Sequence, residues 1–297
     1  MPTKSSYSRR LTNMTARWTR DEFRQLLAED RQLRVLVVEG PSDIKLWHKI
    51  APSSCRKDTE IYPVTSFHVE VDLGGNKARV AELARSSVSW PEAERLKFFA
   101  DADCDRFMQV DHPDRLNLTD GRDVESYVLI GAVLECFCEI GAGERPAEAA
   151  IIGKTIRDLL RPIGLLRIAS ARENLNLPFK ETFVGGSVSR FFKDRRGRYS
   201  LSLDALVDAL LNQAELPRQM KPDLINLLER TESELSDVED WQIVHGKDLI
   251  SFFSWYFAVS LPISFGLICL SIVASLNAVL AYESFSEIEG WVRGSTA

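Results

Sequence analysis

The feature that most constrains this chain is an alternation of short β-branched runs, ending in Gly or Asp, with amphipathic stretches of helical spacing. Leu33-Arg34-Val35-Leu36-Val37-Val38-Glu39-Gly40 is continuously apolar at its centre, the pattern of a parallel strand buried on both faces. Pro41-Ser42-Asp43 then opens a helix through Ile50, with Ile44, Leu46 and Trp47 on its apolar side. The cycle repeats: Phe67–Leu73 alternates like a second strand, Gly74-Gly75-Asn76 turns, and Lys77–Arg85 reads as helix. Leu96–Ala100 is expected as a third strand and Leu116–Thr119 as a fourth, the latter before a helix from Asp123 to Ile140. Asp21–Glu29 adds a helix ahead of the first strand. The class this predicts is α/β, a mostly parallel sheet flanked by helices. After Gly141–Pro146 the strand signal stops, and Ile151–Leu160, Leu203–Leu211 and Leu224–Leu235 carry helical spacing. The expected organisation is a basic flexible arm (1–20), an α/β domain (21–143) and an α-helical C-terminal domain (144–297).

With 297 residues, 45% hydrophobic and 27% charged, the chain is neither a disordered tail nor a collagen-like fibre. A formal net charge of −6 disfavours a protein that coats DNA in bulk. Five cysteines lie at no zinc-binding spacing and read as small core residues in a reducing, cytoplasmic setting. Lys4, Arg9, Arg10, Arg17 and Arg20 precede no apolar stretch, so a secretory signal is not expected. One region is uneven. Leu249 to Tyr282 contains no charged residue, and about 20 apolar residues suffice to cross a bilayer. Pro262, Asn277 and several serines dilute the run, which favours a buried helical core; anchoring in an inner membrane through 249–282 is the alternative.

The acids fall where a site in such a sheet belongs. Glu39 ends the first strand with Asp43 one helical turn on, Asp101 and Asp103 follow the third, and Asp123 and Glu125 follow the fourth. Open α/β sheets bind ligands at the carboxyl ends of their strands. Clustered carboxylates oppose one another's ionisation unless a cation neutralises them, and hard oxygen donors suit Mg²⁺ or Mn²⁺. Any one of these residues alone reads equally as a helix cap. Acids after three separate strands are harder to explain as caps.

Val38-Glu39-Gly40-Pro41-Ser42-Asp43, Gly74-Gly75-Asn76-Lys77, Asp101-Ala102-Asp103 and Asp123-Val124-Glu125-Ser126-Tyr127 together resemble the Toprim (topoisomerase–primase) domain. Within it they look like a family of stand-alone Toprim proteins related to the nuclease part of the OLD (overcoming lysogenisation defect) proteins. Some of these are anti-phage effectors paired with an ABC-type ATPase. The likeness covers about residues 33–130, and Trp241-Gln242-Ile243-Val244-His245-Gly246-Lys247-Asp248 is a weaker echo of the family's helical part. It implies a metal-dependent nuclease acting on DNA or RNA under the control of an ATPase partner, with a homo-oligomer expected. By position, Glu39, Asp43, Asp101, Asp103 and Glu125 would hold Mg²⁺ or Mn²⁺, with Glu39 also serving in acid–base chemistry. Two cations about 3.5–4 Å apart would then stabilise a phosphodiester displacement. Lys77 would reach a phosphate or the developing oxyanion; otherwise it is a solvated first residue of a helix. Asp43 stands where many relatives have Glu, one methylene shorter. The alternative function is a catalytically silent Toprim-derived module that regulates or binds nucleic acid.

A second cationic segment lies downstream. Arg190, Lys193, Arg195, Arg196 and Arg198 are interleaved with Phe191, Phe192 and Tyr199, a composition that suits a phosphate backbone and stacked bases. A solvated turn is the plainer reading. Gly153-Lys154-Thr155 mimics the end of a phosphate loop, but residue 148 is Glu rather than the required Gly, so ATP binding by this chain is not expected.

Overall fold

The structure, a computed structural model, describes residues 17–56, 58–69, 74–142, 148–183, 190–194, 199–257 and 265–294. Its elements begin with α1 (Arg20–Glu29), β1 (Arg34–Val38), α2 (Pro41–Ile50), β2 (Thr59–Pro63), α3 (Asn76–Ser87), β3 (Leu96–Ala100), α4 (Asp105–Met108) and β4 (Leu116–Leu118). A 3₁₀ turn (Glu125–Leu129) leads to α5 (Gly131–Phe137), α6 (Ala149–Arg172) and α7 (Phe179–Phe183), then β5 (Phe192–Asp194) and β6 (Tyr199–Leu201). Helices α8 (Leu203–Gln213), α9 (Lys221–Glu234), α10 (Asp240–Ile243) and α11 (Gly246–Tyr256) follow. The last three are α12 (Phe265–Ala274), α13 (Leu276–Val279) and α14 (Glu283–Arg293). The chain divides into two compact units. One contains the described residues up to Ala100, His112–Leu118 and those from Glu287 onward; the other contains Asp101–Asp111 and Thr119–Ser286.

The first unit is built on a four-stranded sheet of order β2-β1-β3-β4, parallel throughout. Val35, Val37, Phe98 and Ala100 face a core completed by Phe23 and Leu27 of α1 and by Val80 and Leu83 of α3. Leu36, Val38 and Phe99 point the other way and are buried as well, which is why β1 is apolar from Val35 to Val38 and β3 from Phe98 to Ala100. On that side Trp47 of α2 meets Phe99 edge-on, with centroids 5.2 Å apart and an interplanar angle of 87°. The last turns of α14 close the unit: Thr59 donates to the Val292 carbonyl at 3.3 Å and Arg293 to the Ile50 carbonyl at 3.1 Å. Trp47 has no exposed surface. Trp47→Ala is therefore expected to cost about 3–5 kcal/mol in chemical denaturation, since the cavity adds to the lost transfer energy. A loss under 1 kcal/mol would show that α2 is not seated as described.

Among its described residues the second unit is helical with one short antiparallel pair, β5–β6, which the expectation of an α-helical segment did not include. The second strand was also misplaced. The ladder partner of β1 is Thr59–Pro63, while Phe67 makes only an isolated bridge with Trp18, and residues 70–73 lie outside those described. Phe67 and Val69 are buried with His68 exposed between them, so the alternation reported burial without a ladder. The helix expected from Asp123 to Ile140 is a 3₁₀ turn, α5 and a π-helical end, Cys138–Ala142. Cys55 is exposed, not a core residue, whereas Cys138 and Cys269 are buried; none of the five is in a disulfide.

The uncharged run is divided among α11, α12 and α13, and residues 258–264 lie outside those described. Among the described residues no helix is long and apolar enough to cross a membrane. With ten residues, α12 measures about 15 Å, half the ~30 Å of a hydrocarbon core. One side of it is covered by protein: Ile268, Cys269 and Ile272 are buried and α12 packs on α5, while Leu270 is exposed. Phe253 of α11 lies 4.4 Å from Phe137 of α5, ring centre to ring centre.

Candidate functional site

In the sheet unit, Glu39 is the residue after β1 and is half-buried. Gly40 follows in extended backbone as the residue capping α2, and its N–H donates to Asp43 Oδ2 at 2.9 Å. Asp43 thus holds the strand–helix junction from within the first turn. Burial pushes its carboxyl up to about 6, against the lowering pull of the Gly40 and Glu39 N–H groups. Lys77 lies in the first turn of α3, half-buried, directly after the Gly74-Gly75 turn. Gly74 has φ +116°, a conformation that a side chain would strain.

In the helical unit, Asp101 and Asp103 are tied to the loop that carries Glu125. Val124 N–H donates to Asp101 Oδ1 at 3.0 Å, and Asp103 N–H donates to the Arg122 carbonyl at 2.6 Å. Asp103 sits at φ +51°, in the left-handed region that Asp tolerates better than most residues. Ala102 between them is buried and donates to Thr119 Oγ1 at 2.9 Å. Glu125 opens the 3₁₀ turn, half-buried. Next to it Asp123 is buried and its carboxyl is held well above the usual range, first by burial, then by the Glu125 charge, with Asp103 adding to both. These three acids therefore feel one another, and a cation among them would relieve the repulsion. Among the described residues no three metal-competent side chains are already gathered at ligating distance.

The burial of Arg122 and Asp123 is not legible in the sequence, because nothing local shows that these charges are enclosed. Arg122 is 3% exposed and donates to the Ile243 carbonyl at 2.8 Å and to Cys104 Sγ at 2.9 Å. Gly246 N–H donates to Asp123 Oδ2 at 2.7 Å, and Ser126 N–H donates to Asp123 Oδ1 at 2.9 Å. His245 Nδ1 accepts from Lys247 N–H at 3.1 Å and lies 3.8 Å from Asp123; burial holds the imidazole well below its usual range, hence neutral. Asp248 takes both arms of Arg167 at 2.8 Å each. The signals available were the Asp123–Tyr127 and Trp241–Asp248 motifs themselves.

Of the cationic segment, Arg190 and Lys193 are exposed, while Arg195, Arg196 and Arg198 lie outside the described residues. Phe191 and Phe192 are each 3% exposed; Phe192 packs on Trp255 at 5.2 Å, so neither ring is available to stack on a base. A separate cavity of about 900 Å³ in the helical unit is lined by Arg157, Arg161, Asp240, Trp241 and Tyr282 among others, and none of the acids named from sequence faces it. No family model and no curated protein matches the chain.

Proposed function

We propose that this chain is a metal-dependent nuclease of Toprim type that hydrolyses phosphodiester bonds of DNA or RNA. The observation that carries the proposal is positional. β1, β3 and β4 are neighbours in one parallel sheet, Glu39 directly follows β1, Asp101 and Asp103 follow β3, and the loop after β4 leads to Glu125. Strand carboxyl ends are where open α/β sheets do their chemistry. Glu39, Asp43, Asp101, Asp103 and Glu125 would hold Mg²⁺ or Mn²⁺; the donor set is entirely carboxylate, which suits hard cations. When bound, the metal supplies charge neutralisation of the phosphate and a more acidic water. Glu39 takes a proton from the attacking water, and Lys77 offers its ammonium group to the phosphate oxygens.

The same reading makes the protein a defence effector under an ATPase partner, working in the cytoplasm as a homo-oligomer. A second reading, a Toprim-derived module that binds without turnover, is favoured by Asp43 and Asp101, which already accept backbone N–H groups in the manner of structural caps. Metal removal separates the two. The purified chain is expected to cut DNA or RNA with Mg²⁺ or Mn²⁺, to stop on addition of chelator, and to recover when metal is restored. Absence of both cutting and carboxylate-dependent metal binding would exclude the nuclease.

A further inference from the structure

Segment 241–246 passes through the helical unit with almost no clearance, and three glycines mark where. A Cβ on Gly121 would stand 2.5 Å from Ser126 Oγ and 2.6 Å from the Trp241 ring; one on Gly164 would stand 2.4 Å from the Ile243 carbonyl oxygen. A Cβ on Gly246 would stand 2.3 Å from Glu125 Cβ and 2.6 Å from Asp123 Oδ1. Glu125 Cβ is the root of its side chain, so it cannot swing aside without moving its backbone. Polar contacts run along the same line. Arg122 N–H donates to the Trp241 carbonyl at 3.2 Å, the Arg122 guanidinium to the Ile243 carbonyl at 2.8 Å, and Gly246 N–H to Asp123 Oδ2 at 2.7 Å. The loop so gripped, Arg122–Glu125, in turn holds Asp103 through the Arg122 carbonyl and Asp101 through the Val124 N–H.

We infer that segment Trp241–Gly246, and Gly246 above all, positions Glu125 together with Asp101 and Asp103, so that α11's start sets the spacing of three of the five proposed metal ligands. This rests on the nuclease reading for the word ligand, but the positioning itself does not. Gly246 touches no substrate; it acts through Asp123 and Glu125. Groups that orient metal ligands typically change affinity by about 10–100-fold when altered.

The experiment compares Gly246→Ala with Leu210→Ala in the full chain. Leu210 is wholly buried on α8, which packs on α7 and α9, so its truncation serves as a destabilising control in the same unit. Mn²⁺ binding followed by electron paramagnetic resonance should weaken about tenfold or more in Gly246→Ala and stay within about twofold of the parent in Leu210→Ala. Without metal, hydrogen exchange at the Asp103 and Val124 amides should quicken in Gly246→Ala while amides of β1 and β3 keep their rates. Should Gly246→Ala not fold, Asp123→Asn adds no volume, cannot accept from both Gly246 and Ser126, and is expected to quicken the same amides. Unchanged exchange at Asp103 and Val124 in the folded variant overturns the inference, as does an equal loss of Mn²⁺ affinity in Leu210→Ala. A parent chain that binds no Mn²⁺ would remove the nuclease reading and leave the exchange result to decide the positioning.

Discussion

Glu39→Ala is expected to lower metal-dependent cleavage about 100-fold or more, the range associated with losing a general base, while changing stability by no more than about 1 kcal/mol. The separation follows from where Glu39 stands. β1 is held by ladders to β2 and β3 on either side and by four buried side chains, Val35 to Val38, all of which precede Glu39. The turn after it is held by the Gly40 to Asp43 hydrogen bond, which the substitution leaves in place. Glu39→Gln keeps the volume and removes only the charge and the basicity, so it should fall with the Ala variant. Equal cutting by parent and Glu39→Ala would sink the assignment. A parallel fall in activity and in denaturation midpoint would instead assign Glu39 a structural role.

Arg161→Ala is expected to cost about 3–5 kcal/mol, the usual penalty when one partner of a buried ion network is removed. Arg161 on α6 is 8% exposed and its fork is fully committed. It donates to Glu232 at 3.1 Å, to Asp240 at 2.9 Å and to the carbonyls of Leu235 and Val238 at 2.6 and 2.8 Å. Leu235 and Val238 lie on the connection from α9 to α10, with Glu232 and Asp240 at its two ends, so the arginine ties a loop to the long helix as much as it balances charge. Each carbonyl left without a partner costs about 1–3 kcal/mol if it stays dry. Arg161→Lys keeps the charge but has no planar fork, and should recover less than half of the loss. Denaturation of the three proteins decides this: a lysine variant as stable as the parent would reduce the interaction to simple charge pairing.

Some parts of this structure were legible residue by residue. β1 announces itself through the apolar run Val35–Val38, β3 through Leu96, Phe98, Phe99 and Ala100, and α1 through Phe23, Leu26 and Leu27 at helical spacing. β2 did not, because Thr59-Glu60-Ile61-Tyr62-Pro63 is short, half-polar and ends in proline, a composition tolerated on the sheet edge where it lies. The three-residue strands β5 and β6 are too short to carry a periodic signal. In the candidate site, the acids after the strands could be named from sequence. The buried status of Arg122 and Asp123 could not, since their partners lie on average more than a hundred positions away, at Ile243 and Gly246.

The sequence alone therefore determined the α/β class, three of the four strands, and the set of acids that follow them. These depend on period, caps and chain order, all of which act within a few residues. Tertiary structure decided the edge strand, the return of the C-terminal helix to the sheet, the packing of α11 and α12 on α5, and the grip of segment 241–246 on the acidic loop. Those outcomes depend on which distant surfaces exclude water from one another, and no local pattern encodes that choice.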